Sequence, residues 1–491
     1  MRTLIMVRPG PDFVAAVFAV FRVGAVPVLI DPGMGYKPFL QCVTETEPVN
    51  FIGLSIAHPL RLLFPKPFRT VRRSITVGRR WFWGGATLDQ VHSARRDPFP
   101  AAPTTTEDEA AVAFTSGSTG IPKGVVFLHG MFKAQIDLLH DEIGMADGEV
   151  DLPGLYIFAL YNPALGVTTV LPDMDPAKTA QINPAYLVES IQTHGVTTSF
   201  GSPTIWKKVA RYCQENDVRL PSLKRILMAG APVPPSLIEQ FQDILDGGDV
   251  YTPYGATEAL PITMFSGREI LAETAALSEQ GHGMCVGRPT TGNTIRVIRI
   301  TEDPIPEWDP SMVLPDGQVG EIVVKGTVVT RRYLHRPRQT AAAKIREGDE
   351  IWHRMGDLGY FDPQGRLWFC GRKRHRVETA QGLLLPVQCE AIFNLHPDAF
   401  RTAVVGVGAR GRQRPILIVE PQPGKMPRDE DARAAFIEQL LKLGAGNEKT
   451  RGIRDVLFHP NFPVDVRHNA KIQREKLAVW AEGQLKEGGR A

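Results

Sequence analysis

Short apolar runs alternate with longer amphipathic stretches through most of this chain, and polar turns separate them. The runs at 110–114, 167–171, 197–200 and 225–228 predict strands, the first of them continuously apolar and buried. Helical patterns fall at 132–142, 186–194, 203–216 and 235–245. Such alternation implies an α/β fold with largely parallel sheets flanked by helices. From 292 to 329 the pattern turns mostly to strands, at 294–300 and 320–324, which implies a small β-rich subdomain. Beyond residue 371 a smaller α+β unit follows, with strands at 402–407, 416–420 and 455–459 and a helix at 429–443.

The apolar stretch 13–30 is long enough to suggest a membrane span. Arg22, Gly24 and Pro27 interrupt it, and Pro11-Asp12 reads as a helix start. The expectation is therefore a buried helix at 12–21, a turn at Gly24 and a buried strand at 25–30, with no transmembrane segment.

Length and charge narrow the picture further. A chain of 491 residues is too long for one core, so two or more domains are expected. Its net charge of +3 arises from nearly balanced 56 basic and 53 acidic residues, which makes no case for nucleic-acid binding. The basic run 69–73 reads as a solvated face. Five widely spaced cysteines without a C-x-x-C pair support neither a disulfide framework nor a zinc site, as suits a reducing cytoplasm.

One segment carries chemistry on its face. After the strand at 110–114 come Thr115, Ser116, Gly117, Ser118, Thr119, Gly120, Ile121, Pro122, Lys123 and Gly124. A turn of this composition directs hydroxyls and backbone N–H groups toward one point, and Lys123 adds a positive charge, so its natural guest is a polyphosphate. It is not a Walker A loop, because G-x-x-x-x-G-K-[ST] occurs nowhere in the chain.

This string resembles the phosphate loop of the adenylate-forming (AMP-binding) superfamily, and further motifs follow in that family's order. Tyr254-Gly255-Ala256-Thr257-Glu258 resembles the Y-G-x-T-E motif, whose Thr contacts the α-phosphate and whose Glu holds Mg²⁺. The resemblance gives Gly230, Ala231 and Pro232, with Tyr254 and Gly255, to adenine, and Asp357 and Arg372 to the ribose. An Asp can accept from both vicinal hydroxyls. His468-Asn469-Ala470-Lys471-Ile472-Gln473-Arg474 resembles the segment in which a mobile C-terminal domain delivers a catalytic lysine, here Lys471. Phe158, Ala159, Tyr161, Phe200 and Gly201 fall at the acyl pocket. ATP and Mg²⁺ are the implied cofactors, with Thr257, Glu258 and Lys471 catalytic. The resemblance also divides the chain into a large ATP- and acyl-binding domain (1–371), a hinge (372–376) and a mobile domain (377–491).

Departures and extra phrases select a branch. The stretch Phe158-Ala159-Leu160-Tyr161-Asn162-Pro163 lacks the His common at the acyl site, and His375 stands where an Asp is usual after Gly-Arg. The basic run 372–376 is expected to set domain rotation. The chain starts near the family's second N-terminal motif, at Gly24-Ala25-Val26-Pro27, so the large domain is expected to be shortened. Phe200-Gly201-Ser202-Pro203, Gly283-Met284-Cys285-Val286-Gly287 and Trp352-His353-Arg354-Met355-Gly356-Asp357 resemble β-lactone synthetases of bacterial long-chain olefin biosynthesis. That implies a long-chain 2-alkyl-3-hydroxy acid as substrate and thiolase-like, reductase and α/β-hydrolase-like enzymes as partners. An AMP-forming acyl-CoA or acyl-carrier ligase, and an inactive adenylate-binding protein, are the alternatives. No residue stands out as the base for the substrate hydroxyl; His353 and Tyr161 are the candidates.

Overall fold

The computed structural model describes residues 1–94, 98–115, 122–172, 174, 181–464 and 472–488. Its first sheet holds β1 (Arg2–Met6), β2 (Val26–Leu29), β3 (Asn50–Leu54), β4 (Arg73–Val77), β5 (Ala86–Thr87), β6 (Glu109–Phe114) and β7 (Gly124–Leu128). Their order is β5-β4-β3-β1-β2-β6-β7, parallel except for β7, which returns antiparallel to β6. The apolar stretch 13–30 is divided as expected, into the helix Pro11–Arg22 and β2, with Gly24 at φ +65° between them. Only glycine turns there without strain.

The second sheet is wholly parallel, in the order β12-β11-β10-β8-β9: β8 (Val150–Pro153), β9 (Thr168–Thr169), β10 (Thr198–Gly201), β11 (Arg225–Met228) and β12 (Asp249–Tyr251). Helices Pro184–His194, Pro203–Glu215 and Pro235–Ile244 cover one face and bury Trp206, Phe241 and Ile226. The strand expected at 167–171 is shorter, because β9 is an edge that pairs β8 through Thr168 and Thr169 alone.

The β-rich region is much larger than the pattern at 292–329 implied. Its eight strands are β13 (Tyr254–Ala256), β14 (Ala259–Met264), β15 (Met284–Pro289), β16 (Asn293–Ile298), β17 (Gly320–Gly326), β18 (Lys344–Glu347), β19 (Glu350–Phe361) and β20 (Leu367–Arg372). All pairings among them are antiparallel. A short helical turn, Lys373–His375, leads to the C-terminal part. There a hairpin (Val377–Thr379 with Gly382–Leu384) and a three-stranded sheet (Ala399–Val407, Arg414–Pro421, Asp455–Phe458) pack with helices Pro386–Phe393, Glu430–Ala445 and Arg474–Gly488. Asp429 caps the second of these helices, its carboxylate accepting from the Ala432 amide at 2.8 Å. All five cysteines are buried and free. Among the described residues no helix is long and apolar enough to cross a membrane.

A buried ionic knot ties the eight-stranded sheet to the helical turn Lys373–His375. Glu321, 1% exposed, accepts from Arg354 at 2.7 and 3.1 Å and from Lys373 at 3.0 and 3.1 Å. Arg354 also donates to the Thr301 and Asp303 carbonyls. Removing Glu321 strands Arg354 and Lys373 without this counter-charge. Glu321→Leu is expected to lower stability by about 3–5 kcal/mol in urea unfolding; a loss below about 1 kcal/mol would show that the knot carries little.

Candidate active site

Thr115 and Lys123, at the two ends of the candidate phosphate loop, are tied to each other. The Thr115 amide donates to the Lys123 carbonyl at 3.1 Å, and the Lys123 amide donates to Thr115 Oγ1 at 3.4 Å. These two bonds continue the β6–β7 pairing to Thr115 and Lys123. Ser116, Gly117, Ser118, Thr119 and Gly120 lie outside the described residues.

A second segment brings Glu258 to that lysine. Residues 329–334 lie alongside β7, where Tyr333 pairs with Val125 and the Leu334 amide donates to the Gly124 carbonyl at 2.8 Å. The same segment meets the β13–β14 turn: the amide and hydroxyl of Thr330 donate to the Glu258 carbonyl at 2.9 and 3.0 Å. Between them Tyr333 donates its hydroxyl proton to Glu258 Oε1 at 2.6 Å and accepts from Lys123 Nζ at 3.2 Å. The ammonium lies 4.3 Å from the centre of the Tyr333 ring. Burial lowers the Lys123 pKa, opposed by the charge of Glu258.

Lys344 completes this polar core. It is 5% exposed and donates to the carbonyl and hydroxyl of Thr330. Burial pushes its pKa down to about 7, with Glu258 opposing and Lys123 adding to the fall. Neither Tyr333 nor Lys344 is legible as a site residue in the sequence. Both lie far from the motif residues they serve, and Lys344 closes a plain Ala-rich run.

The turn at Glu258 has a steric reason for its glycine. A Cβ on Gly255 would lie 2.4 Å from the Ala259 carbonyl oxygen. Thr257 is exposed beside the buried Glu258. Tyr254 Oη donates to Asp357 Oδ2 at 2.7 Å, and Arg372 Nη1 pairs with Asp357 Oδ1 at 2.9 Å. Tyr254, assigned to adenine, therefore meets the two residues assigned to ribose in one cluster. Asp357 is 2% exposed; burial first, and then the Asp357 charge, raises the Tyr254 pKa.

Gly230, Ala231 and Pro232 follow β11 at its C-terminal end, Gly230 with φ +92°. The Ala229 amide donates to the Gly201 carbonyl at 3.2 Å, which places this bend beside Phe200 and Gly201 at the end of β10. Ligands of α/β sheets bind outside such strand ends. The rings of Phe158 and Phe200 are 4.1 Å apart, and Tyr161, Leu227, Tyr251 and Met264 share their apolar cluster. Ala159 is buried in the same turn. Gln135 links this cluster to the Glu258 hairpin, accepting from Tyr161 Oη at 2.8 Å and donating to the Leu260 carbonyl at 2.8 Å. Asn162 donates to the buried Asp151 at 2.8 Å, and burial pushes that carboxyl up to about 7.

The two candidate bases fare poorly on geometry. The Tyr161 proton is committed to Gln135, and burial raises its pKa. His353 is 3% exposed with Nδ1 against the Ala343 carbonyl at 3.2 Å. Burial and the charge of Lys344 hold it well below the ordinary range, neutral but weakly basic. Lys471 lies outside the described residues.

Among the described residues no group of three or more His, Cys, Asp or Glu could hold a metal ion. One oxygen of Glu258 is bonded by Tyr333, leaving the other for a cation held by a single carboxylate plus substrate phosphates, a mode that suits Mg²⁺.

Stability should rise with pH because of Lys344. Its folded pKa of about 7 lies below its unfolded value of 10.5, so the unfolded chain holds the extra proton between them. Thermal midpoints are expected to climb from about pH 7 upward, more steeply for the native chain than for Lys344→Met. Identical slopes would mean that Lys344 stays charged when buried.

Comparison with known proteins places the chain in a family. The family model described as "AMP-binding enzyme" matches residues 2–334. The olefin beta-lactone synthetase of Stenotrophomonas maltophilia (strain K279a) is 48% identical over 493 residues, covering 99% of this chain and 87% of that protein. The protein of the same name from Xanthomonas campestris pv. campestris is 47% identical, with the same coverage of 99% and 87%. Among solved structures, the amide bond synthetase McbA from Marinactinospora thermotolerans superposes with a TM-score of 0.79 at 22% identity, covering 98% of this chain and 90% of that one. The fold, the motif order and these matches lead to one conclusion: the chain belongs to the AMP-binding enzyme family, whose members form adenylates.

Proposed function

We propose that this chain adenylates a long-chain 2-alkyl-3-hydroxy acid with ATP and closes it to a β-lactone. Near full-length relatedness, at 48% and 47% identity, to two proteins named olefin beta-lactone synthetase carries the reading. The site geometry supports it. A carboxylate attacking ATP is anion meeting anion, and Lys123, Arg372 and the phosphate loop would supply the neutralising donors. Mg²⁺ bound through Glu258 would help neutralise the negative charge on the leaving pyrophosphate. Tyr333 would hold the Glu258 carboxylate in place, and Asp357 would exchange its bond to Tyr254 for the ribose hydroxyls.

The substrate carboxylate oxygen bonds to the α-phosphorus as the α–β P–O bond breaks and pyrophosphate leaves. The substrate's own β-hydroxyl then attacks the acyl carbon, loses its proton, and expels AMP. A tethered nucleophile needs no thiol site, since effective concentration replaces a second binding event. The aromatic walls at Phe158 and Phe200 suit alkyl chains.

Incubation with ATP, Mg²⁺ and a 2-alkyl-3-hydroxy acid, without CoA, should yield lactone, AMP and pyrophosphate by mass spectrometry. Turnover that appears only when CoA is added would sink the reading in favour of a thioester-forming ligase. Lys471→Ala should cut adenylation, measured by pyrophosphate exchange, by about a hundredfold or more while ATP binding persists. Unchanged exchange would remove Lys471 from the mechanism.

A further inference from the structure

Between Glu47 and Asp89 the sequence carries seven Lys or Arg residues and no Asp or Glu, although the whole chain is nearly neutral. The fold gathers the end of this stretch at one rim of the seven-stranded sheet. Leu54 and Val77 pair at the C-terminal ends of β3 and β4. The helix His58–Leu63 comes after the first, and the loop 78–85 after the second.

The two connections are fastened to each other. The Trp83 ring stacks on His58 with centres 4.9 Å apart, and its Nε1 donates to Thr76 Oγ1 at 3.0 Å. Ser55 Oγ donates to the Arg79 carbonyl. With Trp83 anchored at 6% exposure, its neighbours Trp81 and Phe82 are held outward at 54% and 78%. Leu62 and Leu63 at the helix end, and Ile56 before it, are exposed as well, Leu63 at 71%. Arg79 and Arg80 stand exposed beside the aromatic pair.

We infer that this rim docks on the surface of an anionic phospholipid bilayer. Exposed Trp and Phe flanked by arginines, in a stretch without a single acid, match the chemistry of a lipid interface, where rings enter the headgroup boundary and cations meet lipid phosphates. A bilayer accepts outward-pointing rings without a complementary groove, and the stretch itself carries no acid; against Arg79 and Arg80, Asp89 at the start of the helix after β5 leaves the rim net basic. The position also connects to the site. Leu160, in the turn Tyr156–Leu160 that bears Phe158, packs into the same cluster as Leu54, Ile75 and Val77 beneath the rim. Resting on the proposed long-chain substrate, this would set the acyl pocket close to the phase in which such acids dissolve; the docking itself does not depend on that reading.

The test is sedimentation of the full chain with sucrose-loaded vesicles, scored without any activity assay. Binding is expected to phosphatidylcholine mixed with phosphatidylglycerol, much more weakly to phosphatidylcholine alone, and to fall as salt rises. Trp81→Ala with Phe82→Ala, and separately Arg79→Glu with Arg80→Glu, should each lower partitioning about tenfold or more. Unchanged thermal midpoints would certify both variants as folded, and the exposed arginine pair keeps the test valid should the aromatic pair fold poorly. No sedimentation with anionic vesicles, or equal sedimentation of all variants, would overturn the proposal. So would self-association that the aromatic variant abolishes in a chain that binds no vesicle, which would give the rim to a second copy.

Discussion

The site depends on one buried contact, the Tyr333 hydroxyl between Lys123 and Glu258. A carboxylate 8% exposed and a lysine from another sheet are each costly to bury alone. The hydroxyl donates to one and accepts from the other, so both keep a partner. It also locks the seven-stranded sheet against the eight-stranded one through residues 329–334, which bond to β7 on one side and to the Glu258 turn on the other. The base of the phosphate loop and the candidate metal ligand are thus placed in register by the same few hydrogen bonds.

The basic run after the eight-stranded sheet obeys the same logic. Arg372 pairs with Asp357 and Lys373 with Glu321; Arg374 and His375 reach Glu475 at 3.1 and 3.0 Å, and Arg376 reaches Glu302 and Glu378. Arg372 and Lys373 bind backward into the large sheet, while Arg374 and His375 bind forward to the helix Arg474–Gly488. The hydrogen bond from His375, with the Arg374 charge, holds the Glu475 carboxyl down to about 2. A step between two parts of the chain that is made of ion pairs can exchange partners without exposing apolar core.

The fold was legible where the pattern was local. The split of 13–30, the strand before the phosphate loop and the helices around the parallel sheet follow from periodicity, proline and glycine. The β-rich region was underestimated because short antiparallel strands such as β13 and β18 carry too few residues to show a period. Their partners lie far away in sequence, as β20 does from β15.

The sequence by itself offered candidate chemistry: a Gly/Ser/Thr string whose composition suits phosphates and, through its family resemblance, a glutamate expected at a cation, an aspartate expected at vicinal hydroxyls and aromatic residues expected at an acyl chain. Each is a short string whose backbone needs and side chains sit together. Tertiary structure alone decided which distant residues tune them. Tyr333, Lys344 and Gln135 are ordinary in their own surroundings, and become part of the site because two sheets close over them and exclude water, so that each buried polar atom must find its partner within the protein.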